Sequence, residues 1–275
     1  MGSPLDGKSS LNTCANRRAT LATSRRSFLA ASKLVVGTGV ALGLGLAGRS
    51  ASAATTAPSP YTRPCFLAGT RIKTTEGEIN IEELRIGDNV LTALGEARPI
   101  KFIGRVKVSR ERNGPWNGDG PVKISRFAID SKAPHSDLNV SPWHAIYVDN
   151  VLIPAKYLVN GVTIVADAMP EALSLTYFHI ELDTHEAIFA EGLAVESFLR
   201  DNTHAHAFVN ADEYVKLYGS PGEPLAPFAP YARYSRRQEL ASHIRSALAP
   251  VYDFRKPLDR VRDRIADHAG FAQAA

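Results

Sequence analysis

From position 65 to about 199 the chain is cut into short runs of strand type by closely spaced turn signals, and this texture restricts its fold more than any other feature. Residues 70–74 alternate, Glu76-Gly77-Glu78 turns, 79–84 continue as a strand, and Ile86-Gly87-Asp88 turns again before 90–92. Residues 145–148 and 151–153 flank Asp149-Asn150, a two-residue hairpin signal. Such spacing predicts a mostly β domain rather than βαβ units. The polar stretch 110–120, with Asn113-Gly114 and Asn117-Gly118-Asp119-Gly120, reads as a surface loop, and Gly69, Gly87 and Gly192 as turn residues.

The flanks differ in kind. Residues 54–64, rich in Thr, Ser and Ala with Pro58, Pro60 and Pro64, read as an extended linker. After 199, residues 211–218 and 235–248 have helical character, the second with Leu240, Ile244 and Leu248 on one face. A Pro-rich segment, 221–230, separates them, and 256–268 is a charged candidate helix. Residues 200–275 are thus expected to form a partly helical accessory tail behind a β domain at 65–199.

The first 53 residues have a separate role. Ser24-Arg25-Arg26-Ser27-Phe28-Leu29 precedes a soft apolar run at 34–48 and then Ala51-Ser52-Ala53. The order of these parts reads as a twin-arginine secretory signal with an A-x-A cleavage site. The apolar run is shorter than the roughly 20 residues a spanning helix needs. The expected partner is the twin-arginine translocation machinery, and the expected destination is the periplasm or the medium. This segment carries seven Lys or Arg and only Asp6, a net of +6; subtracting it from the whole-chain +4 leaves a mature chain near −2. The basic character therefore belongs to the leader, and composition gives no support to nucleic-acid binding. Cys14 leaves with it, so Cys65 becomes a lone thiol that no intramolecular disulfide can use.

Cys65 opens the run Cys65-Phe66-Leu67-Ala68-Gly69-Thr70, and Ser141-Pro142-Trp143-His144 lies downstream. A thiol next to its own peptide nitrogen can attack the preceding carbonyl, here that of Pro64, through a five-membered ring. The amide becomes a thioester and the Cys65 nitrogen leaves as an amine. Because an amine leaves poorly, the step needs a proton donor, and His144 is the candidate. Ser141 can hydrogen-bond the scissile amide or the oxyanion, where one positioned donor is worth about 3 kcal/mol. The reaction is intramolecular, so effective concentration drives much of it. The ring of Pro64 restricts the backbone and crowds the thiol's approach.

Three segments together resemble the Hedgehog/intein, or Hint, superfamily. Cys65-Phe66-x-x-Gly69-Thr70 is similar to its opening block, Ser141-x-x-His144 to its Thr-x-x-His block, and residues 177–192, with His185, to its late β-hairpin block. The wording at 138–144 and 180–186 is most similar to bacterial Hint-type domains. The resemblance implies a Hint-like β fold over 65–199, autocatalytic single-turnover cleavage, and no cofactor. It implies Cys65 as nucleophile, His144 as the acid at the amide, Ser141 as a hydrogen-bonding helper and His185 as an aid to thioester resolution. The substrate is then the chain's own N-terminal segment, with water or a small thiol or amine as second nucleophile. Splicing is not expected, because the stretch matching an intein's terminal His-Asn pair reads Leu193-Ala194-Val195-Glu196-Ser197. Residues 200–275 show no recognisable sterol-recognition feature.

Two other function classes are consistent with the residues. If 177–185 were one strand, His179, Glu181, Asp183 and His185 would share a face and could hold a divalent metal, with Cys65 as a soft extra ligand. The simpler account of that face is a solvated polar surface. His204-Ala205-His206 adds a second, weaker metal hint. Alternatively, the domain is a catalytically silent β module that binds a partner.

Overall fold

The computed structural model describes residues 65–275 except 113, 117–119, 202–207, 221, 233–235, 250–252 and 275, with backbone alone at 236–240, 243 and 271–274. The expected leader and linker, and the His204-Ala205-His206 motif, lie outside the described residues. The strands are β1 (Phe66–Leu67), β2 (Arg71–Thr74), β3 (Gly77–Asn80), β4 (Asn89–Leu91), β5 (Ala97–Pro99), β6 (Phe102–Ser109), β7 (Val122–Ile124), β8 (Leu138–Val140), β9 (Ala145–Val148), β10 (Val151–Pro154), β11 (Ile164–Val165), β12 (Ser174–Glu181), β13 (Ala187–Ala190) and β14 (Leu193–Glu196). Three helices follow, α1 (Ala211–Tyr218), α2 (Arg236–Leu248) and α3 (Pro257–Ala274). The fold is mostly β, as the spacing of turn signals predicts.

The strands form two sheets. One runs β11-β7-β8-β1-β12-β6; the other runs β10-β9-β14-β13-β2-β4-β5, with β3 added beside β2. The short strand β1 is an interior strand of the first sheet, antiparallel to both neighbours, with Phe66 opposite Val140 on one side and Phe178 on the other. β12 and β6 pair along their whole length, from Ser174 opposite Ser109 to Glu181 opposite Phe102.

Alternation sends successive side chains of β1 and β12 to opposite faces. Phe66, Val140, Phe178 and Ile180 join the main core between the sheets. Cys65, Leu67, Leu175, Tyr177, Val106 and Val108 face a second apolar cluster, completed by Trp116, Phe198, Phe208 and Tyr214. The first sheet is therefore buried on both faces where it carries Cys65.

Local signals are realised unevenly. Asp149 and Asn150 adopt φ 52° and 61°, the left-handed pair a tight hairpin needs, and join β9 to β10 with Val148 opposite Val151. Glu191 and Gly192 do the same between β13 and β14 with φ 48° and 77°. The strand expected over 79–84 stops at Asn80, where the Glu83 amide bonds back to the Asn80 carbonyl at 2.9 Å and makes a turn. Stretch 110–120 is not simply a surface loop, since Trp116 is buried beneath the Arg110 guanidinium, 5.1 Å from its ring centre.

The region after 199 packs on the β domain. All three expected helices are present, but the expected apolar face of α2 is exposed at Ile244 and Leu248. Polar contacts to α3 hold α2 instead: the Ser242 hydroxyl donates to Asp259, and Arg245 Nε lies 2.6 Å from Asp259 Oδ2. Leu258, Val261 and Ile265 of α3 are buried in the main core. Residues 230–232 run beside β10, with the Leu152 amide donating to the Pro230 carbonyl at 3.0 Å and the Ala232 amide to the Leu152 carbonyl at 2.8 Å.

Candidate active site

Continuing the register of β1 one residue back aligns Ser141, Cys65, His179 and Gly104 in a single row across β8, β1, β12 and β6. Residues that face each other in such a row have Cβ atoms about 5 Å apart, so their side chains meet without further design.

Ser141 holds the Cys65 backbone at two points. The Ser141 amide donates to the Cys65 carbonyl at 2.9 Å. In a regular ladder the Cys65 amide would return to the Ser141 carbonyl. Here the Ser141 carbonyl accepts instead from the His144 amide at 3.1 Å, because Ser141-Pro142-Trp143-His144 forms a turn. Proline suits the second position of such a turn through its fixed φ. The Cys65 N–H therefore donates to Ser141 Oγ at 2.9 Å. The atom so held is the nitrogen of the Pro64-Cys65 peptide bond.

The thiol has a different partner. Cys65 Sγ lies 2.8 Å from His179 Nε2, and both residues are buried. Either the thiol donates to the ring nitrogen, or the proton has moved and Nε2–H donates to the thiolate; both are the two ends of one proton transfer. His179 in turn is edged by Phe198 and Phe208, each with its ring centre 5.1 Å away. The sequence reading considered His179 only as a metal ligand. The signal that finds it is the β1 to β12 register, which no local pattern reveals.

His144 approaches from the other face, its ring packed on Phe66 with centres 4.3 Å apart. Its Nε2 lies 3.1 Å from the Glu196 carbonyl. A carbonyl only accepts, so Nε2 carries the proton and Nδ1 holds the lone pair in the neutral ring. Nδ1 has no hydrogen-bond partner among the described residues. Burial pushes the His144 ring below its ordinary pKa, opposed by the Glu196 charge and by the Cys65 and Glu196 carbonyls, while His185 adds to the lowering.

Glu196 anchors this second face. Its Oε1 accepts from the Ala145 amide at 2.7 Å, directly after His144, and its Oε2 accepts from the Tyr231 hydroxyl. Burial, then the Glu196 charge, hold the Tyr231 phenol far above its usual pKa, so it remains a donor. His185 belongs to this group and is not at the thiol: its Nε2 lies 3.5 Å from Glu196 Oε2, and its Nδ1 accepts from the Phe228 amide at 2.9 Å. His185 lies in this group because β12 ends at Glu181, and the chain turns before His185.

The same early end disperses the metal candidates. Glu181 pairs with Arg200 and Tyr214, Asp183 is exposed beside Lys101 at 3.5 Å, and His179 faces Cys65. Among the described residues no group of three or more His, Cys, Asp or Glu could hold a metal ion.

The Hint domain family model matches residues 64–202, slightly wider than the 65–199 expected. The chain belongs to the Hint domain family. The match begins one residue before Cys65 and ends after β14, so it includes Cys65, Ser141, His144, His179 and Glu196. Among solved structures, this Hint domain is similar to a DnaB intein from Synechocystis, at 9% identity and a TM-score of 0.33, with 49% of this chain and 98% of that chain covered. It is similar also to a bacterial intein-like domain from Clostridium thermocellum, at 12% identity and a TM-score of 0.29, with 49% and 97% covered. No curated protein matches.

Proposed function

We propose that this Hint domain cleaves its own chain between Pro64 and Cys65 by a cysteine-initiated N-to-S acyl shift, without splicing. The observation that carries the reading is that both reacting atoms of Cys65 are held by side chains of the same row, the nitrogen by Ser141 and the sulfur by His179. His179 Nε2 takes the thiol proton, and Sγ attacks the Pro64 carbonyl carbon. As the C–N bond breaks, the Cys65 nitrogen stays on Ser141 Oγ and is protonated by the charged form of His144, whose Nδ1 is available for that proton. The remaining thioester is resolved by water or a small thiol or amine: its C–S bond breaks and the sulfur is reprotonated. The stretch Leu193-Ala194-Val195-Glu196-Ser197 offers no asparagine for cyclisation, which supports cleavage over splicing.

In this reading the domain is exported folded through the twin-arginine pathway and works in the periplasm or beyond. Self-cleavage then frees it from a leader still held in the membrane, with the chain's own N-terminal segment as the substrate. The run Ser24-Arg25-Arg26 supports export, and the closeness of Cys65 to the leader supports release by self-cleavage; a leader fully removed at Ala51-Ser52-Ala53 before any Pro64-Cys65 scission would defeat this order.

Intact mass spectrometry of the full chain, incubated with and without dithiothreitol, tests the reaction. A fragment beginning at Cys65 that accumulates faster with thiol, and is absent from Cys65→Ala, is expected. A chain that stays intact at this bond under every condition defeats the proposal and favours a silent binding module.

A further inference from the structure

The row that begins with Ser141 and Cys65 ends in Gly104, opposite His179 on β6. Phe208, from beyond the family match, fills the space this glycine leaves: a Cβ on Gly104 would stand 2.6 Å from the Phe208 ring. The ring is 6% exposed and packs edgewise on both His179 and Phe198, with centres 5.1 Å and 5.4 Å away. Cys65, itself 4% exposed, belongs to the same apolar cluster.

The segment carrying Phe208 is latched to a sheet edge. β6 is the outermost strand on its side, so its outward backbone groups need partners. The Val209 amide donates to the Arg105 carbonyl at 2.8 Å. Asn210, buried, satisfies two more groups: Oδ1 accepts from the Arg105 amide at 2.9 Å, and Nδ2 donates to the Ile103 carbonyl at 3.0 Å. Tyr214 of α1 then reaches Glu181 at 3.2 Å and packs at right angles on Phe102.

We infer that Phe208, seated on Gly104 and fixed by Asn210, is a specificity-determining cover over the Cys65 sulfur that selects by size and charge what reaches it. A charged reagent must shed its hydration to pass the rings of Phe198 and Phe208, whereas a small neutral one loses far less. The inference rests on the cleavage reading and deepens it: among thiols that could resolve a thioester on Cys65, small neutral ones are favoured over charged ones. Selection at the sulfur itself can be read without any cleavage.

The test is the alkylation rate of Cys65 in the full chain, followed by peptide mapping to separate it from Cys14, with neutral iodoacetamide and charged iodoacetate. In the wild type, iodoacetamide is expected to label Cys65 at least tenfold faster than iodoacetate, after correction for their rates with a free thiol. Phe208→Ala should accelerate both and shrink that preference, and Asn210→Ala should do the same by releasing the latch. Phe208→Leu, which keeps an apolar plug, should stay near the wild type and also serves if the alanine variant does not fold. Equal wild-type labelling by the two reagents, or unchanged rates in folded Phe208→Ala and Asn210→Ala, overturns the inference. Selective labelling with no fragment starting at Cys65 would sustain the cover and defeat the cleavage reading. Unselective labelling with normal cleavage would do the reverse.

Discussion

The two sides of Cys65 are built on opposite principles. The sulfur looks into an aromatic shell of Phe198 and Phe208, where His179 supplies a nitrogen 2.8 Å away. The histidine on the other face, His144, sits on a polar network in which Glu196 takes up the Ala145 amide, the Tyr231 hydroxyl and the neighbourhood of His185. The difference teaches how one residue can be given two separately tuned environments. A thiol buried among apolar rings needs a base against it, because burial disfavours the thiolate, while a buried ring that is to take up charge needs neighbouring carbonyls and a carboxylate to offset its burial.

The sharpest way to break the comparison is to remove each histidine in turn. His179→Ala and His144→Ala should each slow formation of the fragment starting at Cys65 by about a hundredfold or more. His185→Ala, on the far side of Glu196, should leave initial thioester formation largely unchanged in the same mass-spectrometric time course. Equal losses in all three would mean that the two sides do not act separately.

Stability separates the faces next. Glu196→Ala leaves the buried Ala145 amide and the half-buried Tyr231 hydroxyl without this partner, and should cost about 3 kcal/mol in urea unfolding. On the sulfur side, Gly104→Ala drives a methyl into the Phe208 ring and should cost about 2 kcal/mol, with faster labelling of Cys65. Tyr231→Phe deletes one charge-assisted hydrogen bond and should cost about 1.5 kcal/mol without affecting that labelling.

The smallest expected effect is the dependence on pH. Burial holds His144 below its ordinary value of 6.5, so the unfolded chain takes up this proton at higher pH than the folded one. The stability contributed by the neutral ring is complete above 6.5 and is lost as pH falls through the lowered folded value. Urea midpoints of the wild type should therefore decline on acidification below neutrality, and His144→Gln should flatten that decline. Parallel slopes for the two proteins would show that the ring titrates alike folded and unfolded.

Much of the fold was legible locally, and the reason is visible element by element. Asp149-Asn150 dictates a hairpin because both residues tolerate left-handed φ, and α1 matches its expected bounds at 211–218. Strand ends were harder: 79–84 and 177–185 look continuous in sequence, but the ends are set by where partner strands stop, at Asn80 and Glu181. Trp116 reads as loop from its polar, glycine-rich neighbours, yet its ring has the second apolar cluster to fill.

The site divides the same way. Cys65, Ser141 and His144 could be read from short motifs, because Ser141 and His144 share one turn and Cys65 opens a distinctive run. The stretch Leu193-Ala194-Val195-Glu196-Ser197 and the basic character of residues 1–53 were likewise properties of the sequence alone. Only the tertiary structure assigned the thiol to His179 rather than His185, put Tyr231 on Glu196, and packed Phe208 on His179 in the apolar cluster that holds Cys65. These pairings span separations from 35 to 114 residues where hydrogen bonds define them, and no local propensity encodes such distances. Register does: once β1 lies between β8 and β12, alternation fixes which side chains meet, and the apolar face left open by the sheet determines what must cover it.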